Sequence, residues 1–450
     1  MRLHGLMFTE HFCGGLWLVT LGAYLGRLAE ADGPGGFESS FVGVAYSTFA
    51  IGSMVSPFLA GLLADRRFSS ERLLSLLHVC GGLTLLALSL TRSPSLFYAM
   101  IIAHCICIAP IMPLVNSLVM KNVESPAKSF PLIRLWGTIG WVCAGLLIGW
   151  LIPNAFFSGG SIEQTVWPMR LATGWHFVAA AYCLFLPHTP PSKEESRGHL
   201  AEDLRELAGK KPFRQLVIFA LFVAMPAQFY YCYANLFFNE IGMERAAAKM
   251  TLGQCVEIGC MIVLPAMLGR FGIRGSLLLG LAAWAARYSA LFLYCRTGLE
   301  PLLYVAIMLH GVSFTFVAVS LQIYLDRHAV GSLRATAQGV YSFCNQGIGR
   351  FTGANVAGFT HLWMMQSAGG TALTSWTWYW AVPACATIGL FTVAAVVFGS
   401  GRGARRRAAA ESALPAEPPM PSGPAASADA LADGAEPAEM GLVEDLERRD

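Results

Sequence analysis

Charged residues are scarce in this chain. Only 13% of its 450 residues are Asp, Glu, Lys or Arg, whereas 55% are hydrophobic. The apolar residues come in runs of about 20, the length that a helix needs to cross roughly 30 Å of hydrocarbon. No small-residue cleavage site follows the first apolar segment, so we interpret this segment as a membrane span and not as a signal peptide. The composition therefore predicts a multi-pass membrane protein.

The residue spacings that are typical of metal sites and of enzymes are missing as well. The 12 cysteines are spread over the apolar segments, without a CxxC or a Cys/His ligand spacing. No nucleophile and base stand out as a pair, so we expect no enzymatic activity, no metal and no cofactor, and no nucleic-acid partner. Gly349, Gly353 and Ala357 recur every four residues within an apolar segment, a spacing that predicts close helix packing and not a nucleotide-binding loop.

Hydropathy predicts about twelve spans, so we expect an all-α membrane protein with twelve transmembrane helices. The predicted spans are Leu6–Leu25, Phe41–Ala64, Leu73–Leu90, Leu96–Met120, Pro131–Ile152, Met169–Leu186, Phe213–Phe238, Ala246–Leu268, Gly275–Tyr294, Pro301–Leu325, Ala335–Leu362 and Thr374–Phe398. About 20 Lys and Arg residues fall in loops on one side of this bundle and about 4 on the other. Because basic loops stay in the cytoplasm, both termini are expected to be cytoplasmic.

A long hydrophilic loop separates the sixth predicted span from the seventh. Weak internal similarity between Pro57–Arg66 and Pro265–Arg274 fits a repeat of two six-helix halves, the usual plan of a secondary transporter. The turn Gly61-x-x-x-Asp65-Arg66 resembles the cytoplasmic signature of the major facilitator superfamily. We therefore expect an N-terminal half, a cytoplasmic central loop, a C-terminal half and a disordered cytoplasmic tail, at 1–187, 188–212, 213–399 and 400–450 respectively.

Polar side chains inside the spans are the candidates for function, because each is costly in hydrocarbon. Arg134, Thr138 and Trp141 lie at i, i+4 and i+7 and so share one face of span five. A buried guanidinium needs water, a partner or a ligand, so this face is expected to line a polar cavity. Arg287, in span nine, is interpreted as a structural pairing residue.

Three further sets lie in the C-terminal half. Gln254 and Glu257 are three residues apart on one face of span eight, and they either bind substrate and protons or join helices by hydrogen bonds. The other two sets are Gln228, Tyr231 and Asn235, which follow Pro226, and His310 with Phe314. Polar contacts between helices are an alternative for the Gln228 set. The ring and imidazole of the third set suit a flat, polar ligand.

Four segments together resemble the nucleoside:proton symporter family of the major facilitator superfamily, whose best-known members are bacterial nucleoside permeases. They are Phe130–Trp141, with the sequence FPLIRLWGTIGW, Phe12–Gly22, Gln254–Glu257 and Leu333–Gly339. The resemblance extends from about Phe8 to Phe398. It implies the major facilitator fold and the import of nucleosides across a bacterial inner membrane by proton symport.

The resemblance also assigns roles to individual residues. The positions that match Arg134, Thr138, Gln228, Gln254 and Glu257 line the family's central site, and those that match Trp141, His310 and Phe314 complete it. Glu257, assisted by His310, is expected to carry the proton. Two positions depart from the family: Thr315 stands where an aspartate is common, and Tyr231 where some relatives have a ligand-binding asparagine.

The expected partners are therefore a nucleoside, protons and the lipid bilayer, and the protein is expected to work as a monomer. Two alternatives stay open. The same fold can carry a sugar, a peptide or a drug, because one fold hosts many functions. A membrane sensor that binds its ligand without transporting it is the second alternative.

Overall fold

The computed structural model describes residues 1–31, 36–66, 68–124, 126–152, 161–191, 200–328, 333–367 and 372–397. These ranges are helical and contain no strand. The expected disordered tail, 400–450, lies outside the described residues, and so does 192–199 of the expected central loop. The α-helices are α1 Arg2–Trp17, α2 Leu21–Ala31, α3 Phe41–Arg66, α4 Ser70–Leu90, α5 Pro94–Ile108, α6 Ile111–Lys121, α7 Pro126–Leu146, α8 Trp167–Cys183, α9 Leu200–Gly209, α10 Lys211–Glu240, α11 Ala246–Thr297, α12 Pro301–Phe314, α13 Ser320–His328, α14 Leu333–Ser342, α15 Arg350–Ser367 and α16 Ala372–Val397.

Helices cover the core of every one of the twelve predicted spans, which confirms the all-α membrane fold class. Spans eight and nine both lie within α11, which is interrupted by a kink at Gly272, where the backbone is not helical. The backbone there has φ 68° and ψ −179°, a conformation that glycine adopts at little cost. Within the described ranges, eight helices are long and apolar enough to cross a membrane by length and composition alone.

Local sequence accounts for many of the helix boundaries. Proline occupies the first turn of α5, α8, α10 and α12, where its missing N–H is no loss and its fixed φ suits the helix. Three π-helical segments continue the spans, at Leu147–Leu151, Thr315–Val319 and Phe343–Gly349. Such segments are frequent near functional sites. The second of them begins at Thr315, directly after Phe314.

Following the expected division of the chain, we call α1–α8 the first half and α10–α16 the second half; these two sets of helices contact each other at one end of the bundle. The short 3₁₀ helix Ile162–Gln164, which precedes α8, lies at this end, which we call the Glu163 end. Two glycines of the first half face backbone atoms of the second: Gly22 faces the carbonyl of Cys232, and Gly149 faces the amide of Ala248. Because glycine has no Cβ, the backbones of the two halves can approach closely here.

Glycine also allows α15 to pack tightly against α10. A Cβ built on Gly353 would lie 2.6 Å from the Cα of Met225, and one built on Gly349 would lie 2.7 Å from the carbonyl oxygen of Leu221. Ala357, the third residue of the set, is fully buried. The structure thus confirms that this small-residue stripe serves helix packing.

Substitution of Gly353 by alanine is therefore expected to destabilise the fold. The added methyl group forces α10 and α15 apart, a change that costs about 1–3 kcal/mol in a packed interior. The melting temperature of the purified protein in detergent measures the effect. Gly389→Ala is the control, because nothing lies within 4 Å of the Cβ that it would add. Equal melting temperatures for the two variants would contradict this packing role.

Candidate functional site

The first half contributes one helical face, as the spacing of its residues predicts. Arg134, Thr138 and Trp141 all lie on α7, with Thr138 buried and the other two half-buried. A Cβ on Gly137 would lie 2.8 Å from Arg134 Nη1 and 2.6 Å from His11 Nδ1, so α1 reaches the guanidinium from the side. Trp141 lies against Gly14 of α1.

The second half brings Glu257 and His310 next to each other through two glycines. A Cβ on Gly253 would lie 3.1 Å from the Cβ of His310. A Cβ on Gly311 would collide with the backbone amide of Glu257. Glu257 and His310 therefore lie where α11 and α12 pack closely against each other, and both residues are buried. Sequence spacing within either helix does not show this contact.

An aromatic cluster surrounds His310. Phe314 stacks on the imidazole with a centroid distance of 6.0 Å, and Tyr231 meets it edge-on at 5.9 Å. Tyr230 stacks on it as well, at 5.6 Å. Phe314 and Tyr231 stay half-buried, so their rings are partly open to a ligand. The sequence predicted Tyr231, His310 and Phe314 as site residues, and the structure places them together.

Arg287 completes this cluster. Its Nη1 lies 3.1 Å from Nδ1 of His310, and its guanidinium carbon lies 3.4 Å from the centre of the Tyr230 ring. A guanidinium only donates hydrogen bonds, so Nδ1 of His310 accepts and carries no proton. Nε and Nη2 of Arg287 have no hydrogen-bond partner among the described residues, so His310 pairs only part of the guanidinium, and the expected role as a structural pairing residue stays a prediction.

The remaining predicted residues lie on helices of both halves. Arg134 of α7 and Glu257 of α11 lie within electrostatic range of each other, across the two halves. Gln228 is buried, and its amide nitrogen has no hydrogen-bond partner in the described part of the chain. Gln254 is half-buried on the same helix as Glu257. Charged groups and the Gln228 amide, which has no partner among the described residues, are thus combined with half-buried aromatic rings, an arrangement suited to a small polar ring compound and a proton.

Asn235 lies elsewhere, at the Glu163 end of the bundle. Its amide donates a hydrogen bond of 2.7 Å to Oε2 of Glu163, which also accepts one of 3.2 Å from Asn239. The backbone N–H of Ala247, at the start of α11, donates to Oε1 of Glu163 at 2.9 Å. The predicted role of Asn235 in substrate binding stays a prediction, and in this structure its amide is engaged by the carboxylate.

Glu163 is a buried contact residue that sequence reasoning missed. It comes from the first half, only 1% of it is exposed, and all its donors come from the second half. Burial raises the pKa of this carboxyl group, while the donated hydrogen bonds oppose that rise. The only sequence signal is an acidic residue in an apolar loop, which does not reveal its partners. The hydrogen bonds to Glu163 thus join the two halves at this end.

A second polar cluster lies inside the first half. Nε2 of His78 lies 2.8 Å from the Glu10 carboxylate, and Nδ1 of His78 lies 3.0 Å from Nδ1 of His176. The ligand atoms of Glu10, His78 and Cys183 lie within 4.8 Å of one another, although these residues are far apart in the sequence. Glu10 and His78 already satisfy each other through their hydrogen bond, so the cluster joins α1, α4 and α8 without needing an ion.

Fold and site together define a class: a multi-pass helical transporter with the major facilitator fold and a polar central site between its halves. The sequence profile of the family described as "Nucleoside H+ symporter" matches residues 1–401. The chain therefore belongs to the nucleoside:proton symporter family, as its motifs predicted.

Two relatives from Escherichia coli (strain K12) agree with this membership. The chain is 34% identical over 363 residues to a protein named putative nucleoside transporter YegT, covering 79% of this chain and 83% of that one. It is 28% identical over 382 residues to a xanthosine permease, covering 80% and 87% respectively. The crystal structure of the nucleoside transporter NupG superposes with a TM-score of 0.74 at 22% identity, over 88% of this chain and 98% of that one. At this identity, the superposition supports the fold.

Substitution of Glu163 by glutamine is expected to loosen the Glu163 end. Glutamine replaces one acceptor oxygen by a donor NH₂ group, which then faces another donor, at a cost of about 1–3 kcal/mol. We expect the amide of Ala247 to exchange its hydrogen on the order of tenfold faster in hydrogen–deuterium exchange with mass spectrometry. The control is Glu244→Gln, at an exposed glutamate three residues before Ala247. Unchanged exchange in Glu163→Gln would contradict the fastening role.

Proposed function

We propose that the protein imports nucleosides across a bacterial inner membrane, driven by protons that move down their gradient. Family membership supports the cargo and the coupling. The proposal places both termini in the cytoplasm, as the distribution of Lys and Arg indicates, and the Glu163 end on the opposite side of the membrane. We further propose that one chain is sufficient for transport, because one chain carries both halves of the site.

One observation carries the mechanism: Glu257 is a buried carboxylate between the halves, opposite Arg134. A carboxylate in this position can alternate between pairing with the guanidinium and holding a proton. We assign the proton to Glu257. His310 is held by Arg287 in the neutral form that donates through Nε2, so it acts as a hydrogen-bond donor to substrate and not as a second proton carrier.

The nucleoside occupies the space between these groups in the proposed mechanism. Its base stacks on Trp141 or Phe314, and its polar edges and ribose bond to Gln228, Gln254 and Thr138. The buried amide of Gln228, which lacks a partner, gains one when the ligand binds. Tyr231 contributes its ring edge beside His310.

Transport then requires alternating access to this site. Because Glu163 and the glycine contacts hold the halves together at one end, the described conformation is closed there. For the site to open at the Glu163 end, α10 and α11 must separate from the Ile162–Gln164 turn. The bonds of Glu163 to Asn235 and Ala247 must break in that step.

The proton assignment predicts that Glu257→Gln abolishes the response of uptake to a proton gradient. Glutamine keeps the size and hydrogen-bonding capacity of the side chain but does not ionise. Uptake of radiolabelled uridine and adenosine into proteoliposomes, with and without an inward proton gradient, measures the effect. Glu300→Gln, at an exposed glutamate, is the control and should respond as wild type does.

If a proton gradient still drives accumulation in Glu257→Gln, the assignment of the proton to this carboxylate is wrong. Gradient-independent uptake by the wild type would indicate a facilitator, with the missing carboxylate at Thr315 as the structural reason. Absence of uptake of any nucleoside would overturn the proposed cargo, and would turn attention to the sugar, peptide or drug alternative.

A further inference from the structure

The second half holds a buried positive charge that nothing in the described chain neutralises. Only 2% of Arg287 is exposed. Its Nη1 donates to the neutral imidazole of His310, and its guanidinium stacks on Tyr230. Its other two nitrogens, Nε and Nη2, are buried without a hydrogen-bond partner among the residues that the structure describes.

These contacts do not offset the cost of burying the guanidinium. An ion that is taken out of water loses its hydration at a large free-energy cost, and cation–π attraction to a neighbouring ring returns only a part of that cost. The imidazole adds a hydrogen bond but no negative charge, since its Nδ1 is the acceptor. A buried cation with two unsatisfied hydrogen-bond donors therefore indicates that a ligand from outside the chain binds this group.

Counting the charges around the site gives the same result. Arg134, Arg287 and Arg350 carry three positive charges, and Glu257 carries one negative charge. Arg287, Arg350 and Glu257 all act electrostatically on the hydroxyl of Tyr231, so they share one neighbourhood. Across the described ranges, no carboxylate lies within 4 Å of any of the three guanidiniums. Glu257 can balance Arg134, and an excess of positive charge remains.

Thr315 lies where the resemblance to the family places an aspartate. Its side chain is fully buried, and its hydroxyl oxygen has no hydrogen-bond partner in the described part of the structure. Threonine is neutral, so this buried position adds no negative charge to the second half.

We propose that the substrate supplies the missing negative charge: the transporter prefers a nucleoside that carries an anionic group, and Arg287 binds that group. The inference rests on the proposed function and narrows its substrate class. Nε and Nη2 are the adjacent pair of guanidinium nitrogens whose N–H bonds point the same way, and such a pair binds two oxygens of a planar anion side-on. The Tyr230 and Phe314 rings both stack on His310, which contacts this guanidinium.

The charge balance of transport changes with the substrate. A neutral nucleoside that enters with one proton carries one net positive charge across the membrane. A singly anionic nucleoside that enters with one proton carries none, so the membrane potential no longer drives its uptake. Currents on solid-supported membranes therefore distinguish the two substrates independently of affinity.

The test is competition against radiolabelled uridine uptake in proteoliposomes that contain the full-length protein. Xanthosine, whose base is largely ionised at neutral pH, is compared with guanosine, which is of similar size and neutral. Uridine 5′-monophosphate is compared with unlabelled uridine. We expect an anionic competitor to act at a concentration at least about tenfold lower than its neutral counterpart, about 1.4 kcal/mol. If only xanthosine competes better than its neutral counterpart, the anionic group that Arg287 binds is on the base. If only the monophosphate does so, that group is the phosphate on the ribose.

Variants connect the preference to Arg287. Arg287→Gln should lose the preference, and Arg287→Lys should keep only part of it, because lysine retains the charge without the paired donors. Arg296→Gln, at an exposed arginine on the same helix, is the matched control and should keep the preference. If Arg287→Gln does not fold, Thr315→Asp provides the test, since a restored carboxylate should shift the preference toward neutral nucleosides.

The outcomes separate this inference from the proposed function. If neutral nucleosides compete as well as the anionic ones or better, the anionic class is wrong while nucleoside transport stands. If Arg287→Gln folds and keeps the preference, Arg287 is not the group that binds the anion. If no nucleoside of either kind is transported or competes, the proposed function itself fails.

Discussion

The structure depends on one constraint: a charge inside a membrane-embedded helix bundle must have a partner. Two carboxylates in the described part of the chain meet this constraint with partners from the chain itself. Glu10 bonds to His78, and Glu163 accepts three hydrogen bonds. These satisfied groups hold helices together. Arg287 and Gln228 at the candidate site do not meet the constraint so fully, and the proposed function rests on this difference.

The same constraint links binding to conformational change. The bonds to Glu163 join the halves at one end and are intact in this structure, so they contribute to the stability of this conformation. Arg134 and Glu257 interact across the halves at the level of the central site. A ligand or a proton that changes the charge of this pair alters the attraction between the halves. Events at the site can therefore bias the equilibrium between the two open states without a separate signalling element.

The fold was predictable from sequence because its main signal is local. A run of about 20 apolar residues is sufficient to identify a span, and the positions of the spans agree with the helices. The kink at Gly272 within α11 was not predictable, because it depends on the backbone angles of one residue. The use of Gly349 and Gly353 for packing was predictable, because spacing by four residues places them on one helix face.

The site was predictable only in part. Residue spacing shows which side chains share a helix face, but it does not show which helix faces pack against each other. Glu257 and His310 belong to different helices and become neighbours through Gly253 and Gly311. Asn235 shares a pattern with Gln228, yet its amide bonds to a loop residue more than seventy positions away. Arg287 was expected to have a structural partner, and its free nitrogens emerge only from the packed structure.

A structure of the protein with a bound nucleoside tests the central claim most directly. The account predicts that the ligand lies between α7 and α11, with its base against Trp141 or Phe314 and its polar edge within hydrogen-bonding distance of Gln228 and Glu257. A nucleoside bound outside this space, with Glu257 and Gln228 making no contact to it, would contradict the account.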